Sequence, residues 1–558
     1  MQDFFFRSVK WLGLLGIFAA VIGVLSHRLV ESWDQAKGVQ VDQQRQVLQR
    51  PLSPELEQVV TRLNADFARN WDAAGVKPAP RADWYTVCRR LSLALVGTGM
   101  SLEEIRQLQG AAEEDRVWLH RENLLADERF AHYWAERLAR TFVGTDQGPF
   151  LAYRRRKFTQ WLAEQIAANR PYNEVVRQLI TARGYFTDRP EVNFITVTMD
   201  SGAEGQPDPV RLAGRSARTF LGVRLDCVQC HDDFLGTLEL GDDPHPRGAT
   251  QADFHRLAAF YSESRFHPFQ GIRAQKHPYR AEYLGDTSPR EIEPGVPFAP
   301  ELLPSTGTAA ERLAGWVTDD RNKQTARAFA NRVWGLMTGR PLQQPVDSIP
   351  VFGPLPCGLE TLAGGVVELR WDLRQIIRAI TETEVFQLDS RAEFEIQPDH
   401  EELWGVYPLS RLRPEQVARS LAQASRLTTI NESAAFLMQL IALGVENDFV
   451  QRFGDTGEDE FEQENLTVTQ RLLLMNGRLV RERTENNPIL NATSHLRILG
   501  GSDVEMIDGV YLAVLNRLPT AAERSYFFKQ LREAGNRQEA IEDLYWILLN
   551  SSEWGWNH

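Results

Sequence analysis

The amino-acid sequence predicts a mainly α-helical protein with two multi-helix domains, a proline-rich connector between them and an N-terminal transmembrane helix. Apolar residues recur at helical spacing through most of the chain, which is the main signal for amphipathic helices. Between residues 268 and 304 this spacing lapses and prolines cluster, so that stretch predicts an interdomain connector. A chain of 558 residues is also too long to fold around a single core, which favours more than one domain.

Residues 1–30 predict a signal anchor that crosses the membrane once. The run from Trp11 to Ser26 contains no charged residue, and as a helix it would span about 24 Å, against roughly 30 Å for the hydrocarbon core of a bilayer. Arg7 and Lys10 precede the run and favour an N-terminus inside the cell. We therefore expect a single-pass protein of the cell membrane whose bulk is periplasmic, on the extracytoplasmic side. A cleaved signal peptide is the alternative, although the small-x-small cleavage pattern is not clear near Ser26.

A polar linker over residues 31–52 leads to the first helical domain, residues 53–267. Ser53 followed by Pro54 is typical of a helix start, with serine as the N-cap and proline at the first helical position. Further along, Ser101 begins a predicted capping box. Two buried stripes are predicted from helical spacing, and they consist of Leu56, Val59, Val60, Leu63, Phe67 and Trp71 in the first helix and of Phe130, Trp134, Leu138 and Phe142 in a later one.

The end of the first domain has a predicted helix on each side of a long loop. One helix begins at Val210 and the other covers residues 253–261. Residues 234–251 between them are rich in glycine, proline and acidic side chains, which predicts the loop. The connector, 268–304, is expected to contain only short extended pieces. The second helical domain, residues 305–558, follows it.

The most specific chemical signal is Cys227-Val-Gln-Cys-His231, which contains two of the four cysteines in the chain. Cys-x-x-Cys-His is the spacing used for covalent attachment of c-type haem. Under this interpretation Cys227 and Cys230 form the thioether links, and His231 is the proximal ligand of the iron. The spacing selects no distal ligand, for which the candidates are Met100, Met199, His245 and His255.

Other uses of this segment stay open. In an exported protein Cys227 and Cys230 could instead form a short-loop disulfide, or remain thiols with a structural role. Another metal is a further alternative, since His245 and His255 could add zinc ligands and a set of acidic side chains could hold a hard cation such as Ca²⁺. The acidic residues are Asp232, Asp233, Asp242 and Asp243. Of the remaining cysteines, Cys88 is expected to be a buried packing residue.

Charge and motifs exclude several classes of function. The formal net charge of −13 argues against a nucleic-acid partner, which would favour a concentrated basic surface. The basic run Arg154–Lys157 is interpreted as a solvated helix face. The sequence contains no Walker loop, no Gly-x-Ser-x-Gly elbow and no His-Glu-x-x-His zinc motif. No catalytic residue is assigned, and whether the protein is an enzyme stays open.

Several segments occur in an order that resembles a known pair of domains. In the first half they are Arg89-Arg-Leu-Ser-Leu-Ala-Leu-Val-Gly97, the segment from Phe220 through the Cys-x-x-Cys-His231 motif, and Asp253-Phe-His-Arg-Leu-Ala-Ala-Phe260. In the second half they are Ala328–Trp334, Gly339–Leu342, Pro345–Asp347, Tyr407–Gln416, Arg452–Gly454, Leu474–Gly477 and Asn550–Glu553. From about residue 55 onward, the chain resembles the secreted planctomycete cytochrome-associated domain of unknown function, followed by the planctomycete-specific domain of unknown function.

The resemblance implies an exported protein that accompanies cytochrome c domains and has no settled biochemical activity. This chain departs from the family at one position of the motif. The family commonly has Cys-His-Asp-His-Pro-Phe-Asp, whereas Asp233 stands here in place of the second histidine. A metal-ligand role at that position is therefore in doubt.

The leading hypothesis is a membrane-anchored protein that carries haem c for extracytoplasmic electron transfer, with a redox or protein partner in the periplasm. The alternative is a non-catalytic scaffold or binding protein whose cysteine pair is structural. A third hypothesis is an exported polysaccharide-related hydrolase, which rests only on the settings in which such families occur.

Overall fold

The computed structural model describes residues 52–144, 153–199, 205–242, 245–426, 428–430 and 501–558, together with residues 461, 470, 472 and 475. The predicted transmembrane helix, and all but the last residue of the polar linker, lie outside these residues. Within them, no helix combines the length and the apolar character needed to cross a membrane.

The described part of the chain is mainly helical, as the sequence predicts, and contains twenty α-helices. The helices before the connector are α1 (Pro54–Ala74), α2 (Trp84–Val96), α3 (Leu102–Gln109), α4 (Arg116–Ala126), α5 (Glu128–Val143), α6 (Arg155–Ala167), α7 (Tyr172–Ile180), α8 (Asn193–Thr196), α9 (Pro209–Ser216) and α10 (Gln251–Ala258). Those after it are α11 (Ala309–Val317), α12 (Lys323–Thr338), α13 (Leu359–Glu368), α14 (Leu373–Glu382), α15 (Glu384–Gln387), α16 (Pro398–Glu402), α17 (Pro414–Ala424), α18 (Asp503–Leu515), α19 (Ala521–Glu533) and α20 (Arg537–Leu549). A π-helical turn, Ala217–Leu221, continues α9.

Short strands form four antiparallel pairs in the described residues. They are β1 (Glu239–Asp242) with β2 (His245–Gly248), β3 (Ser264–His267) with β4 (Gly271–Ala274), β5 (Arg280–Ala281) with β6 (Arg290–Glu291), and β7 (Ser410–Arg411) with β8 (Trp556–Asn557). The stretch predicted as a loop over 234–251 therefore contains a hairpin instead, and Leu240 of that hairpin is buried. The short extended pieces predicted for the connector are confirmed by β4, β5 and β6.

Helix α1 forms for the reasons that its sequence indicates. The Ser53 hydroxyl accepts a hydrogen bond from the backbone N–H of Leu56 at 3.3 Å, and Pro54 occupies the first helical position. The helix ends at Gly75, whose φ of 67° is left-handed and suits a residue without a Cβ. All six residues of the predicted apolar stripe are buried. This stripe is the face that α1 presents to the rest of the molecule.

The larger hydrophobic core joins elements from both sides of the connector. α1 packs against α13 and α14, and α2 packs against α12. Phe67 of α1 stacks on Trp334 of α12, with the ring centroids 5.6 Å apart. Val59 of α1 lies so close to Gly365 of α13 that an added Cβ on the glycine would come within 2.8 Å of a valine methyl carbon.

The smaller core is shared in the same way. Leu93 of α2 is buried there with Leu421 of α17 and Tyr511 of α18. Cys88 also lies in this core and is fully buried, which confirms the packing role predicted for it. The two predicted domains therefore divide the sequence, while their side chains fill common cores.

Two buried arginines on α2 bind backbone carbonyls near residue 558. The Arg90 guanidinium donates to the carbonyl of His558 at 2.8 Å and lies 3.5 Å from the centroid of the Tyr407 ring. Arg89 donates to the carbonyl of Trp554 at 3.1 Å. Burial lowers the pKa of both guanidinium groups to about 10. Both stay charged near neutral pH, and the carbonyls compensate their lost hydration.

Candidate functional site

The Cys-x-x-Cys-His segment lies on one short turn at the protein surface. Asp226–Gln229 form a 3₁₀ turn that is fixed to the core through buried Val228. Cys227 and Cys230 are both exposed free thiols. His231 follows directly and is exposed as well. All three predicted site residues are therefore exposed within one short segment.

Gly222 brings the end of the π-helical turn into close contact with the second half of the chain. Its φ is 62°, and an added Cβ would lie 2.8 Å from Cδ1 of Ile349 and 3.3 Å from the Cβ of Ala328. The Gly222 carbonyl also accepts the backbone N–H of Ile349 at 2.8 Å. Glycine is needed here because both the backbone conformation and the space exclude a side chain. This contact sets where the cysteine turn begins.

Helix α10 supports the cysteine turn from the protein side. The carbonyl of Gln229 accepts hydrogen bonds from Nε2 of Gln251 at 3.0 Å and from Nε2 of His255 at 3.1 Å. The Asp232 carboxylate accepts the backbone N–H of Gln251 at 2.8 Å, at the start of α10. Helix α10 therefore holds the C-terminal end of the turn, while both thiols are exposed.

A backbone carbonyl determines which nitrogen of His231 can bind a metal. Nδ1 of His231 lies 2.7 Å from the carbonyl oxygen of Asp232. A carbonyl only accepts hydrogen bonds, so Nδ1 carries the proton and the neutral imidazole keeps its lone pair on Nε2. In a metal-binding histidine, the ring nitrogen that does not bind the metal usually donates such a hydrogen bond.

The surroundings of the turn include exposed apolar side chains. Phe234 is 77% exposed and Leu235 is 88% exposed. The Phe234 ring stacks on the His231 ring, with centroids 6.0 Å apart. Accessible thiols, an imidazole with a free lone pair and an adjacent apolar surface together fit a covalently attached haem.

The candidate distal ligands do not lie in equivalent positions. Met100 is buried in the smaller core and Met199 in the larger one. His255 has both ring nitrogens in hydrogen bonds, because its Nδ1 lies 2.9 Å from the hydroxyl of Tyr279. Burial lowers the pKa of His255, although its bond to Gln229 opposes this, so the ring is neutral at neutral pH. His245 on β2 is the one exposed residue of the four.

Asp233, two residues after the motif, organises the following loop. Its carboxylate accepts the backbone N–H of Leu238 at 2.6 Å, the N–H of Leu235 at 3.2 Å and the hydroxyl of Thr237 at 3.2 Å. Desolvation acts to raise the pKa of this carboxyl, but these hydrogen bonds outweigh it and lower the pKa. The Asp233 side chain therefore caps the loop that follows the cysteine turn.

The metal alternatives gain no support from the residues that the structure describes. Among them, no group of three or more histidine, cysteine or acidic side chains could hold a metal ion. Asp243, one of the four acidic residues considered for Ca²⁺, lies outside the described residues. The Asp253 carboxylate, close by on α10, binds Arg247 through both oxygens at 2.7 Å.

A second feature, the arginine cavity, begins at the same turn. It has a volume of about 900 Å³ and includes Asp226, the first residue of the turn, in its wall. Seven arginines line it, namely Arg140, Arg211, Arg215, Arg218, Arg224, Arg332 and Arg340. The acidic residues that the structure describes in the wall are Asp226, Asp347 and Glu401. Arginine is therefore the commonest residue type among the described residues of the wall.

Ion pairs connect the cavity to the cysteine turn. Arg218 pairs with Asp226, and its guanidinium also lies 3.7 Å from Asp347. Asp347 binds Arg224 at 2.7 Å and is nearly buried. Gly214 of α9 leaves the space that the Asp226 carboxylate occupies. Asp226 therefore belongs both to the cysteine turn and to the wall of the arginine cavity.

The sequence contains one signal for this cavity, a set of arginines that belongs to none of the motifs described above. Arg211, Arg215 and Arg218 are spaced by four and three residues, which puts them on one face of the helix that precedes the cysteines. The remaining arginines come from distant segments, and no local pattern groups them. The basic run Arg154–Lys157 does not line the cavity, and its Arg155 forms a 2.7 Å ion pair with Glu136 of α5.

Two family models match the chain in tandem. Residues 63–265 match PSCyt2, described as a protein of unknown function (DUF1549), and residues 310–531 match PSD1, also of unknown function (DUF1553). Their order is the one predicted for the two domains. No curated protein and no solved structure matches the chain. The haem chemistry of the motif and the planctomycete resemblance stay predictions.

Proposed function

We propose that Cys227, Cys230 and His231 hold a covalently attached c-type haem, and that the protein serves electron transfer outside the cytoplasmic membrane. The observation that carries the proposal is the hydrogen bond from Nδ1 of His231 to the Asp232 carbonyl, which leaves Nε2 available beside two exposed thiols. The name of the first matching family, PSCyt2, is consistent with the proposal.

The residues of the turn have distinct tasks under this proposal. Cys227 and Cys230 would each add across a vinyl group, with sulfur bonding to one vinyl carbon and hydrogen to the other, so that no oxidant is needed. Nε2 of His231 would bind the iron. Bound haem would supply one-electron redox chemistry. Phe234 and Leu235 offer apolar surface beside the attachment point, where a flat apolar macrocycle could exclude water.

The proposed location follows from the chemistry of attachment. Haem is attached to Cys-x-x-Cys-His segments outside the cytoplasmic membrane, and the apolar run from Trp11 to Ser26 would anchor the chain there. We therefore propose a single-pass membrane protein with a periplasmic body and a periplasmic redox partner.

The scaffold alternative is less well supported by the position of the cysteines. A disulfide between Cys227 and Cys230 would close a loop within one exposed turn and would link no second element to it. The turn is already fixed by Val228 and by α10, so such a bond would add little. An assay of glycan release addresses the third hypothesis, the exported hydrolase.

The test is expression of the full chain in a host with cytochrome c maturation, followed by pyridine-haemochrome spectroscopy. We expect one covalent haem per chain, and loss of the complete two-thioether attachment in Cys227→Ala and in Cys230→Ala. Cys357→Ala is the matched control, because Cys357 is a half-buried thiol outside the motif and should not affect attachment. Absence of haem from the wild-type protein, with Cys227 and Cys230 joined in a peptide map, would overturn the proposal in favour of a structural pair.

A further inference from the structure

We propose that the hairpin of β3 and β4 binds the surface of an anionic lipid bilayer, with Phe269 inserted among the lipid headgroups and basic side chains against their phosphates. This segment, the basic hairpin, comprises residues 264–276. It contains no residue of the Cys-x-x-Cys-His segment, so the proposal does not depend on haem.

Phe269 lies at the tip of the hairpin and is almost completely exposed. Its side chain is 96% exposed, more than any other large apolar side chain that the structure describes. Pro268 and Gln270 on either side are exposed as well. Moving a phenyl ring from water into an apolar environment is favourable. One exposed apolar residue is ordinary on a protein surface, so the support and the charges around Phe269 decide its meaning.

The body of the protein holds the hairpin in a fixed position. Ile272 of β4 exchanges two backbone hydrogen bonds with Gly184, each of 2.8 Å. Gly271 approaches the same segment so closely that an added Cβ would lie 1.9 Å from the Gly184 carbonyl oxygen. The Tyr185 hydroxyl donates to the carbonyl of Pro268 at 2.9 Å. A tip that is already ordered loses little conformational entropy when it inserts.

One face of the hairpin carries two like charges opposite each other. Phe266 and Ile272 pack on the larger core, and side chains alternate along a strand, so Arg265 and Arg273 belong to the other face. Arg265 of β3 is paired in register with Arg273 of β4. The Cβ atoms of such a pair lie about 5 Å apart, and like charges there are destabilising. Anionic headgroups would relieve this repulsion.

The hairpin provides no acidic partner for its basic residues. Residues 264–276 contain Arg265, Arg273 and Lys276 but neither aspartate nor glutamate, in a chain whose formal net charge is −13. None of the three forms an ion pair with an acidic side chain in the described part of the chain. The Arg273 guanidinium donates to the side-chain oxygen of Gln270, which carries no charge. The positive charge at the base of the tip is therefore available to an external anion.

The shape of this surface favours a lipid bilayer over a protein partner. A stable protein interface buries about 800 Å² on each side, whereas the apolar part of the tip is the single ring of Phe269. At a membrane surface, aromatic rings lie at the level of the headgroups, and long basic side chains reach the phosphates. Anionic headgroups attract basic residues that come within a Debye length. An anionic bilayer therefore uses both the ring and the charges.

The predicted anchor would keep a bilayer within reach of the hairpin. The apolar run ends at Ser26 and the described residues begin at Leu52, so residues 27–51 connect the two. Fully extended, such a connection spans at most about 90 Å. A globular body of about 500 residues has a radius of gyration of only about 23 Å. The connection is therefore long enough for the hairpin to face the membrane.

Hydrogen–deuterium exchange of the full chain, read by mass spectrometry of its peptides, measures this contact. The chain is compared in detergent, with excess nanodiscs of phosphatidylcholine, and with excess nanodiscs that also contain phosphatidylglycerol. We expect the amides of residues 264–274 to exchange about tenfold more slowly with the anionic nanodiscs, because bound amides exchange only while the hairpin is free. Added salt should reduce this slowing. Excess nanodiscs can also bind a chain that is not inserted, and haem content is recorded separately.

Two variants separate the apolar contribution from the charged one. Phe269→Ser removes the ring and keeps every charge, and it should lose most of the slowing. Arg265→Gln/Arg273→Gln keeps the ring, and it should lose the difference between anionic and neutral nanodiscs. Should the double variant fail to fold, Arg273→Gln alone serves, because Arg273 is exposed.

Leu284→Ser is the matched control. Leu284 is 71% exposed and lies between the paired strands β5 and β6, but Glu282 and Asp286 flank it. Exchange of residues 264–274 in this variant should equal that of the wild type with every lipid. Exchange that does not respond to lipid would overturn the proposal in favour of a protein partner. Slowing that is as large in Phe269→Ser as in the control would overturn the insertion of the ring.

Discussion

At the scale of single residues, hydrogen bonds to carbonyls give the exposed imidazole of His231 and the buried imidazole of His255 different chemistry. His231 uses Nδ1 on the Asp232 carbonyl and keeps Nε2 available. His255 uses Nε2 on the Gln229 carbonyl, and its Nδ1 meets the hydroxyl of Tyr279. The sequence predicted His231 as the proximal iron ligand and left His255 as one of four candidates for the distal ligand. The structure separates them, since His255 acts as a support of the turn.

A third histidine, His120, gives a prediction about stability and pH. It is buried and lies 2.7 Å from the hydroxyl of Ser92. Burial lowers its pKa to about 4, whereas an unfolded histidine titrates near 6.5. Between those values the unfolded chain binds a proton that the folded one does not. Stability is therefore complete above about pH 6.5 and falls as the pH drops towards 4, by up to about 3 kcal/mol from this residue.

Urea unfolding at pH 7 and pH 4.5 checks this expectation. The difference in unfolding free energy between the two pH values should shrink in His120→Gln. His277→Gln is the control, because His277 is exposed, and its pH dependence should equal that of the wild type. If the loss of unfolding free energy at pH 4.5 is unchanged in His120→Gln, groups other than His120 cause it.

At the scale of elements, close backbone approach fixes the direction in which α9 leads into the cysteine turn. Gly222 combines a left-handed φ of 62° with contacts to Ile349 and Ala328. Gly364, in α13, is the opposite case, because it is exposed and an added Cβ would meet no atom closer than 3.9 Å. Comparing substitutions at the two positions therefore separates the need for glycine in a close backbone contact from the low helix propensity of glycine.

Gly222→Ala should destabilise the protein by about 1–3 kcal/mol, because the new methyl group overpacks a filled site and the backbone disfavours it. Gly364→Ala should stabilise the protein by up to about 1 kcal/mol through helix propensity alone. Denaturant midpoints of both variants provide the measurement. Destabilisation of similar size in both would mean that the contact at Gly222 relaxes freely.

The elements also show what a sequence can and cannot predict. The six-residue stripe of α1 and the capping box at Ser101 are confirmed, because both depend on neighbours within one helix. The β1–β2 hairpin was missed, since glycine, proline and acidic residues masked a strand pair in which Leu240 is the one buried residue among those whose side chains are described. The cysteine turn could be located by its spacing. The arginine cavity could be found only in part, since Arg332 and Arg340 join the helix-face arginines through tertiary packing.

At the scale of the whole molecule, the connector does not separate two independent cores. α1 and α2 complete their cores with α12, α13, α17 and α18. An ion pair between Arg62 of α1 and Glu368 of α13 also joins the two sides of the connector. Periodicity predicts which face of a helix is apolar but not which helix covers it, so this arrangement was not visible in the sequence.

A protease site inserted at Gly285 tests the shared cores. Gly285 is exposed, lies in the connector and has open space around it. After cleavage, the two fragments should elute together from a native size-exclusion column, because separation would expose apolar surface of both cores. In denaturant they should separate. Fragments that part in native buffer would mean that each half is stable alone.

The contacts of Arg89 and Arg90 also impose an order on biosynthesis. Arg90 and the carbonyl of His558 are 468 positions apart in the chain. A ribosome adding about 5–20 residues per second needs roughly 20–90 s to cover that distance. During this interval the Arg90 guanidinium lacks its contact with His558, although the carbonyls of Phe386 and Leu388, to which it also donates, are made earlier. The carbonyls near residue 558 that bind Arg89 and Arg90 are therefore among the last groups to be translated.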